Sequence, residues 1–206
     1  MILFFLAYII GSIPFAFIFT KLFTRENILE VGWKKTSASN VVKNIGKAPG
    51  VLTFLCDVLK GFLVVMLFEG AVSQALAGCL AVLGHNYSIF LKFRGGRGIA
   101  TLFGAILAFN FKLGLILLIP VILSAIMWTA SIGTIISYIL GIVIACVWFD
   151  QGVLLLFLFC FVPVFLKRLS PLQTLKKENA IKRLVFDQDS VPEWTGLKAS
   201  PCSLIG

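Results

Sequence analysis

The chain has 206 residues, of which 59% are hydrophobic, and its 18 Lys and Arg exceed its 9 Asp and Glu to give a net charge of +9. About half of a typical soluble domain is apolar, so this composition excludes a soluble globular protein and predicts an integral membrane protein. A nucleic-acid-binding protein would carry aromatic residues on a soluble basic surface, and we therefore expect no nucleic-acid partner.

The apolar runs predict an all-α membrane protein with about seven transmembrane helices, because a bilayer core of about 30 Å needs about 20 helical residues. Gly11 and Pro14 predict a kink in the first run, which we expect to remain as a helix rather than to be cleaved as a signal peptide. The fourth run is short, and six crossings is the alternative if it enters the membrane only part way. The predicted crossings are residues 1–23, 51–68, 71–90, 98–111, 113–130, 132–149 and 151–168.

Basic residues are concentrated in the 24–50 loop, the 91–97 hinge and the tail that begins at residue 167. Seven crossings place these segments on one face of the membrane. The positive-inside rule makes that face cytoplasmic and puts the N-terminus outside. We expect residues 1–185 to form one transmembrane domain and residues 186–206 to form a polar, poorly ordered tail.

The strongest candidate site is the stretch 84–101, where a helix end, a basic glycine-rich turn and a helix start follow one another. Backbone N–H groups at such a turn can converge on an anion, and arginine can hold a phosphate through two hydrogen bonds. The alternative is a tight interhelical turn whose cations only set the topology. The residues predicted to bind phosphate here are Arg94, Gly95, Gly96, Arg97 and Gly98.

A second candidate is the polar stretch 34–46, whose hydroxyl, amide and lysine side chains suit a phosphate or a polyol. Its predicted binding residues are Ser37, Asn40 and Lys43. Taken alone, this stretch is better explained as an ordinary polar loop with a helix N-cap at Ser37 or Ser39.

Asp57 and Lys60 lie one turn apart inside the second predicted crossing, where ionisable groups are costly unless paired. We interpret them as a structural i,i+3 ion pair that supports the loop residues. His85 is the single histidine of the chain, and a lone histidine is more often structural than catalytic. Its neighbour Asn86 and the glycine-rich turn favour a catalytic role for both residues.

Standard nucleophile signatures are missing from the chain. It has no G-x-S-x-G elbow, and Phe90 stands where an H-x-x-x-x-D pattern starting at His85 would have its aspartate. We therefore expect no covalent protein intermediate. Four of the five cysteines lie in apolar runs, none forms a C-x-x-C pair, and the chain has one histidine, so we predict no structural zinc site. We also expect the chemistry to use no metal and no cofactor.

Together these motifs resemble one family, the membrane glycerol-3-phosphate acyltransferases that use acyl phosphate, known as PlsY. The second motif of that family reads roughly G-H-N-(aromatic)-x-x-F-L-x-F-x-G-G-K-G-(V/I)-A-T, and residues 84–101 match it nearly throughout, with Arg97 in place of lysine. The family's D-x-x-K-G runs here from Asp57 to Gly61.

Two further motifs are matched less completely. The first, roughly G-S-G-N-x-G-A-T-N-x-x-R, is matched at Gly32, Ala38 and Asn40, with Lys43 in place of arginine. The third reads roughly N-I-x-R-L, and residues 181–184 fit it, with Arg183 at the arginine position. Ala180 holds the asparagine position, and Asn179 lies one residue early.

The resemblance implies transfer of an acyl group from acyl phosphate to the 1-hydroxyl of glycerol 3-phosphate. The products would be lysophosphatidate and phosphate, in the first step of bacterial phospholipid synthesis. It also implies a multi-pass protein of the bacterial cytoplasmic (inner) membrane, with its site on the cytoplasmic face and with membrane lipids as its surroundings. Asn179 and Arg183 would then join the substrate-binding residues.

Other functions and one mechanistic question stay open at this point. A carrier or channel for a phosphorylated metabolite would use the same basic residues, although it would favour internal repeats and mid-membrane polar groups. A non-catalytic lipid-binding scaffold is a second alternative. Either His85 or the substrate phosphate could take the proton from the acceptor hydroxyl. The phosphate is slightly favoured, because nothing in the sequence orients His85.

Overall fold

The computed structural model describes residues 1–32, 34–127, 130–148 and 150–169. These residues are mainly helical and include no strand, which confirms the predicted all-α class. A 3₁₀ turn, Ile89–Leu91, follows the fifth α-helix. The α-helices are α1 (Ile2–Ser12), α2 (Phe15–Thr24), α3 (Ala38–Asn44), α4 (Lys47–Met66), α5 (Ala71–Asn86), α6 (Ile99–Phe109), α7 (Phe111–Met127), α8 (Ala130–Val147) and α9 (Gln151–Leu169).

The outer surfaces of these helices suit lipid rather than water. Three segments are long and apolar enough to cross a membrane, namely Ile2–Thr24, Lys47–Met66 and Gln151–Leu169. Shorter apolar helices occupy the positions of other predicted crossings. Large apolar side chains face outward, for example Ile139, which is 62% exposed, and Leu158, which is 59% exposed. A continuous apolar exterior of this kind is expected for a protein embedded in a bilayer.

The first apolar run is interrupted rather than merely bent, because Pro14 separates α1 from α2. Proline has no N–H to donate, and it disfavours helical geometry in the residue before it. Ile13 accordingly has a ψ of 117°. The break leaves two carbonyl oxygens for other helices: Lys60 donates to that of Ile13 at 3.0 Å. Ser88 Oγ donates to the carbonyl oxygen of Ser12 at 2.6 Å.

α4 and α6 are in direct backbone contact through glycines on both helices. A Cβ atom on Gly61 would overlap the carbonyl oxygen of Thr101, and one on Gly104 would overlap the carbonyl oxygen of Val58. Small residues allow membrane helices to approach this closely. The contact fixes the position of α4, which carries the ion pair predicted in the second crossing.

The main apolar core lies where α5, α6 and α9 meet. Val82 and Leu156 are fully buried in it, together with Leu102 and Ile106 of α6. This packing fixes the rotation of α5, and therefore the position of the polar residues at its C-terminal end.

The structure differs from the sequence-based boundaries near the connecting segments. The crossing predicted to reach residue 90 ends at Asn86. Lys167 and Arg168, interpreted as the start of a basic tail, lie in the last turn of α9 and are buried, so that interpretation is wrong for both. The predicted binding residues Asn179 and Arg183 lie outside the described residues.

Replacing Gly61 by alanine should destabilise the protein, because the new methyl group meets backbone rather than a movable side chain. Overpacking of this kind typically costs about 1–3 kcal/mol. The melting temperature in detergent measures the effect. Leu59→Ala is the control on the same helix, since Leu59 is 53% exposed and its truncation should change the melting temperature much less. A Gly61→Ala protein as stable as the wild type would contradict the close contact between α4 and α6.

Candidate active site

A cavity of about 110 Å³ lies at the end of the bundle where α5 and α9 end and α6 and α8 begin. The N-terminal end of α3 and the hinge before α6 both contribute to its wall, so two of the predicted candidate segments meet here. Its polar lining residues are Ser37, Ser39, Asp57, His85, Arg97, Ser131, Thr134 and Arg168.

Lys60 joins three helices beside this cavity. Its Nζ lies 2.6 Å from Asp57 Oδ1, donates to the carbonyl oxygen of Ile13 at 3.0 Å, and lies 3.0 Å from His85 Nδ1. Asp57, Lys60 and His85 are only 1%, 3% and 8% exposed, and buried charges persist only when they are paired. The predicted ion pair is confirmed, and it also holds the histidine.

The contacts of His85 determine which of its ring nitrogens carries the proton. An ammonium group can only donate, so Nδ1 accepts from Lys60, and the neutral ring carries its hydrogen on Nε2. Nδ1 lies 3.4 Å from Asp57 Oδ1, which is longer than the usual 2.7–3.2 Å of an N–H···O bond. His85 is therefore a hydrogen-bond donor. The expectation that nothing orients it is wrong, since Lys60 does.

The paired glycines of the hinge pack against His85. A Cβ atom on Gly96 would overlap His85 Nε2 and the carbonyl oxygen of Thr36, and one on Gly95 would overlap the carbonyl oxygens of His85 and Asn86. The N–H of Gly96 donates to the carbonyl oxygen of His85 at 3.2 Å. Glycine is thus needed here for close approach, and the N–H of Gly96 is already used within the protein.

Arg97 and Gly98 reach the cavity from the end of the hinge. Gly98 has a φ of +74° and caps the N-terminus of α6, a conformation that favours glycine. Burial, and then the charge of Arg168, lower the pKa of Arg97 to about 9. Arg97 is still protonated at neutral pH, so two arginine charges face the same small space. A bound phosphate would offset the repulsion from Arg168 and favour the protonated form of Arg97.

The three predicted binding residues of the stretch 34–46 lie in different surroundings. Ser37 lines the cavity and also caps α3, because the N–H of Asn40 donates to its Oγ at 3.3 Å. Asn40 is buried, and its side-chain amide donates to the carbonyl oxygens of Val31 and Lys35 at 3.1 and 2.9 Å. It therefore shapes the loop rather than facing the cavity. Lys43 is exposed on the outer side of α3.

Asn86 and Arg94 do not line the cavity. Asn86 is fully buried, and its Nδ2 donates to the carbonyl oxygen of Pro163 at 3.2 Å, which ties α5 to α9. Its Oδ1 has no hydrogen-bond partner among the described residues. Arg94 is exposed. Of the predicted site residues, the cavity brings together Ser37, Asp57, His85, Arg97 and Gly98.

Four polar residues of the cavity were not predicted as site residues: Ser39 of α3, Ser131 and Thr134 of α8, and Arg168 of α9. Arg168 is 5% exposed and donates from Nη2 to the carbonyl oxygen of Ser131 at 3.0 Å and to Thr134 Oγ1. Two hydroxyl residues three apart in an apolar run could have indicated a polar helix face. In the part of the chain that the structure describes, no cluster of three or more His, Cys, Asp or Glu could hold a metal ion.

An apolar groove of about 230 Å³ adjoins the cavity. Arg168, Thr134 and Ile99 line both spaces, so they form the boundary between them. The rest of the groove is made of aliphatic and aromatic side chains from α8 and α9. The arrangement offers one cationic space and one apolar space, side by side.

These features define the class: a helical integral membrane protein with a cationic cavity next to an apolar groove. A family model described as glycerol-3-phosphate acyltransferase matches residues 1–185, and the chain belongs to that family.

Relatives and solved structures agree with this placement. The chain is 36% identical over 124 residues to a glycerol-3-phosphate acyltransferase of Bartonella quintana, covering 57% of this chain and 59% of the relative. It is 42% identical over 106 residues to one of Thermosipho melanesiensis, covering 50% and 52%. The matched part thus spans little more than half of these curated relatives.

The fold is similar to that of PlsY, an integral membrane glycerol 3-phosphate acyltransferase whose crystal structure has been solved in two forms. The glycerol 3-phosphate form superposes with a TM-score of 0.74 at 29% identity, covering 84% of this chain and 89% of that one. The lysophosphatidic acid form gives a TM-score of 0.72 at the same identity, covering 90% and 91%.

Replacing Arg97 by glutamine should weaken the binding of a phosphate-bearing substrate. A hydrogen bond to a charged group contributes about 1.5–3 kcal/mol, so the KM for glycerol 3-phosphate should rise about tenfold or more. In the wild type, affinity should also fall as pH rises through about 9, because Arg97 then loses its proton. Steady-state kinetics across pH measure both effects.

The matched control is Arg94→Gln, which removes an exposed arginine from the same hinge. It should change the KM much less. Equal effects of the two substitutions, or wild-type kinetics for Arg97→Gln, would remove Arg97 from the site.

Proposed function

We propose that this protein transfers an acyl group from acyl phosphate to the 1-hydroxyl of glycerol 3-phosphate, giving lysophosphatidate and phosphate. The single observation that carries the proposal is the continuity of the cationic cavity with the apolar groove across Arg168, Thr134 and Ile99. Acyl phosphate has a phosphate joined directly to a fatty chain, so its two ends need two such spaces side by side.

Charge supports binding of phosphates in the cavity. Arg97 and Arg168 bring two positive charges to its wall, whereas the carboxylate of Asp57 is paired with Lys60. His85 adds an uncharged N–H donor. In a small, partly dehydrated space, charge-assisted hydrogen bonds to phosphate oxygens are strong and directional. These groups are also suited to the negative charge that develops on the leaving phosphate.

The reaction needs no protein nucleophile. Acyl phosphate is an activated mixed anhydride: the acceptor oxygen forms a bond to the acyl carbon, the bond from that carbon to the phosphate oxygen breaks, and phosphate leaves with the electron pair. The cavity hydroxyls are not arranged with a general base, because Nδ1 of His85 is occupied by Lys60. Positioning of two bound substrates and charge stabilisation would supply the acceleration.

The proton of the acceptor hydroxyl is best taken by a substrate phosphate. The second pKa of a phosphate monoester is near 6, so the dianion is available at neutral pH. His85 carries its hydrogen on Nε2 and is oriented to donate. We therefore assign His85 the role of a donor to substrate oxygen, and not that of general base.

The carrier alternative has less support. A carrier would use Lys60 and Asp57 inside the membrane, but these two side chains pair with each other, and Lys60 also binds the Ile13 carbonyl and His85. Groups committed to structural contacts in this way are poorly suited to bind and release a transported solute. The cavity would lie on the cytoplasmic face of a bacterial inner membrane, with the N-terminus outside.

Donor choice tests the proposal directly. The purified protein in detergent should form lysophosphatidate from palmitoyl phosphate and glycerol 3-phosphate, and should not use palmitoyl-CoA, because the H-x-x-x-x-D machinery is absent. Product formation can be followed by mass spectrometry. Comparable rates with both donors would refute the donor assignment. Absence of product with either donor would refute the acyltransferase assignment.

The His85→Gln enzyme distinguishes a hydrogen-bond donor at this position from a general base. Loss of one charge-assisted hydrogen bond should lower kcat/KM by about tenfold to a hundredfold. The acidic limb of the pH–rate profile should remain, because it belongs to the substrate phosphate. As a control, a phosphonate analogue of the acceptor, whose second pKa is higher, should move that limb upward in both enzymes. Disappearance of the limb in His85→Gln would show that the histidine is the base.

A further inference from the structure

The outer part of the hinge before α6 has a surface whose residues line neither the cavity nor the groove. It consists of three exposed apolar side chains interleaved with two exposed cations. We call this surface the hinge tip, and its residues are Ile89, Phe90, Lys92, Phe93 and Arg94. Phe90 is 58% exposed and Phe93 is 62% exposed. The stretch 84–101 contains no acidic residue, so the hinge tip is an apolar surface with an uncompensated positive charge in its own segment.

The hinge tip lies at the surface of the membrane, because the hinge joins two helices of the bundle. α5 ends at Asn86 and α6 begins at Ile99, and both helices pack in the apolar core. The turn between them emerges at the end of the bundle that holds the cavity. At this level, exposed phenylalanine rings meet the boundary between headgroups and acyl chains, where aromatic and basic side chains are enriched.

The backbone of the hinge tip has an uncommon conformation. Lys92 and Phe93 are consecutive non-glycine residues with φ of 53° and 61°, in the left-handed region that is costly for large side chains. The N–H of Phe93 donates to the carbonyl oxygen of Ser88 at 2.8 Å. The N–H of Arg94 donates to the carbonyl oxygen of Leu91 at 3.1 Å. These bonds close a turn that keeps the Phe93 ring outward, and strain of this kind is concentrated at functional sites.

A short, closely packed piece of chain connects the hinge tip to the cavity. Gly95 and Gly96 follow Arg94 and pack against His85 so tightly that neither has space for a Cβ atom. Arg97 comes next and lines the cavity. A displacement of Arg94 therefore reaches Arg97 through two residues that cannot absorb it. What the hinge tip contacts will affect the position of an arginine at the cavity wall.

We propose that the hinge tip binds the headgroups of anionic phospholipids, with its phenylalanine rings inserted at the bilayer surface, and that this contact holds Arg97 at the cavity. Charge complementarity identifies the partner, because Lys92 and Arg94 flank Phe93 in a segment without acidic residues. Each cation near an anionic bilayer contributes about a factor of five in binding. The rings insert into any phospholipid surface, so the preference for anionic lipid comes from the two cations.

Photocrosslinking identifies the molecule that contacts the hinge tip. The full chain is placed in nanodiscs of phosphatidylglycerol and phosphatidylcholine in equal amounts, with Phe93 replaced by p-benzoylphenylalanine, and the adducts are identified by mass spectrometry. The matched control has the same replacement at Phe5 of α1. Phe5 is 63% exposed, and its helix contains no Lys or Arg, so it should react with the two lipids without preference.

The ratio of phosphatidylglycerol to phosphatidylcholine adducts at Phe93 should exceed that at Phe5 by about fivefold or more. Neutralising both cations with Lys92→Gln and Arg94→Gln should lower the ratio at Phe93 to that at Phe5. Exchanging them with Lys92→Arg and Arg94→Lys should leave the ratio unchanged, because charge rather than side-chain shape is responsible. Lipid adducts at Phe5 verify that each variant is inserted in the membrane.

Activity measures the connection to Arg97, and this second measurement rests on the proposed function. The kcat/KM for glycerol 3-phosphate is determined with and without phosphatidylglycerol, and the two values are expressed as a ratio. The ratio should be about fivefold lower in the enzyme with both cations neutralised than in the wild type. Phe93→Ser, which keeps both cations, should lower it by a similar factor because the ring no longer inserts. Simple attraction of substrate by the two cations predicts no change in Phe93→Ser.

Equal adduct ratios at Phe93 and Phe5, or a preference that survives neutralisation, would overturn the assignment to anionic lipid. Adducts at Phe93 with a co-purified protein, or no adduct at all, would overturn it too. An activity ratio that stays at the wild-type value in Phe93→Ser would overturn the connection to Arg97. If the wild-type protein makes no product in either lipid mixture, the proposed function fails, whereas the crosslinking result still decides which lipid the hinge tip binds.

Discussion

The buried ammonium group of Lys60 is the interaction on which the site depends. A charge in this position must be paired, since an isolated ion within a membrane protein is costly. Lys60 meets that requirement with Asp57 on its own helix, the Ile13 carbonyl released by Pro14, and Nδ1 of His85. The contacts of this one side chain therefore connect the break in the first crossing to α4 and fix the orientation of the histidine.

The charge balance at the cavity follows from this arrangement. Because Asp57 is committed to Lys60, its carboxylate does not offset the arginines on the opposite wall. Arg97 arrives from the hinge, and Arg168 is held by the Ser131 carbonyl and Thr134. The positive charges at the cavity wall are the feature on which the proposed binding of phosphate depends. The neighbouring groove adds the apolar half that an amphiphilic substrate requires.

Short sequence patterns predicted much of the fold and part of the candidate site. Hydrophobic runs predicted the all-α membrane class, and the i,i+3 spacing predicted the ion pair. Gly11 and Pro14 predicted a kink within one helix, whereas the structure has a break at Pro14. The contacts of individual side chains could not be predicted from the sequence, because they depend on packing between segments that are distant in the chain. Asn40 was predicted to bind substrate, but its side-chain amide donates hydrogen bonds to carbonyl oxygens of its own loop. Arg168 resembled a topology signal but lies inside the bundle.

The interruption at Pro14 also has a consequence for the order in which the chain can be assembled. The Ile13 carbonyl receives a hydrogen bond from Lys60 in addition to the one from the N–H of Phe15, and the Ser12 carbonyl receives one from Ser88. Both side-chain donors are synthesised after the first crossing, and lipid offers no substitute for either bond. The broken first crossing therefore reaches its final hydrogen bonding only when α4 and the end of α5 have been inserted, which couples maturation of the site to insertion of the fifth helix.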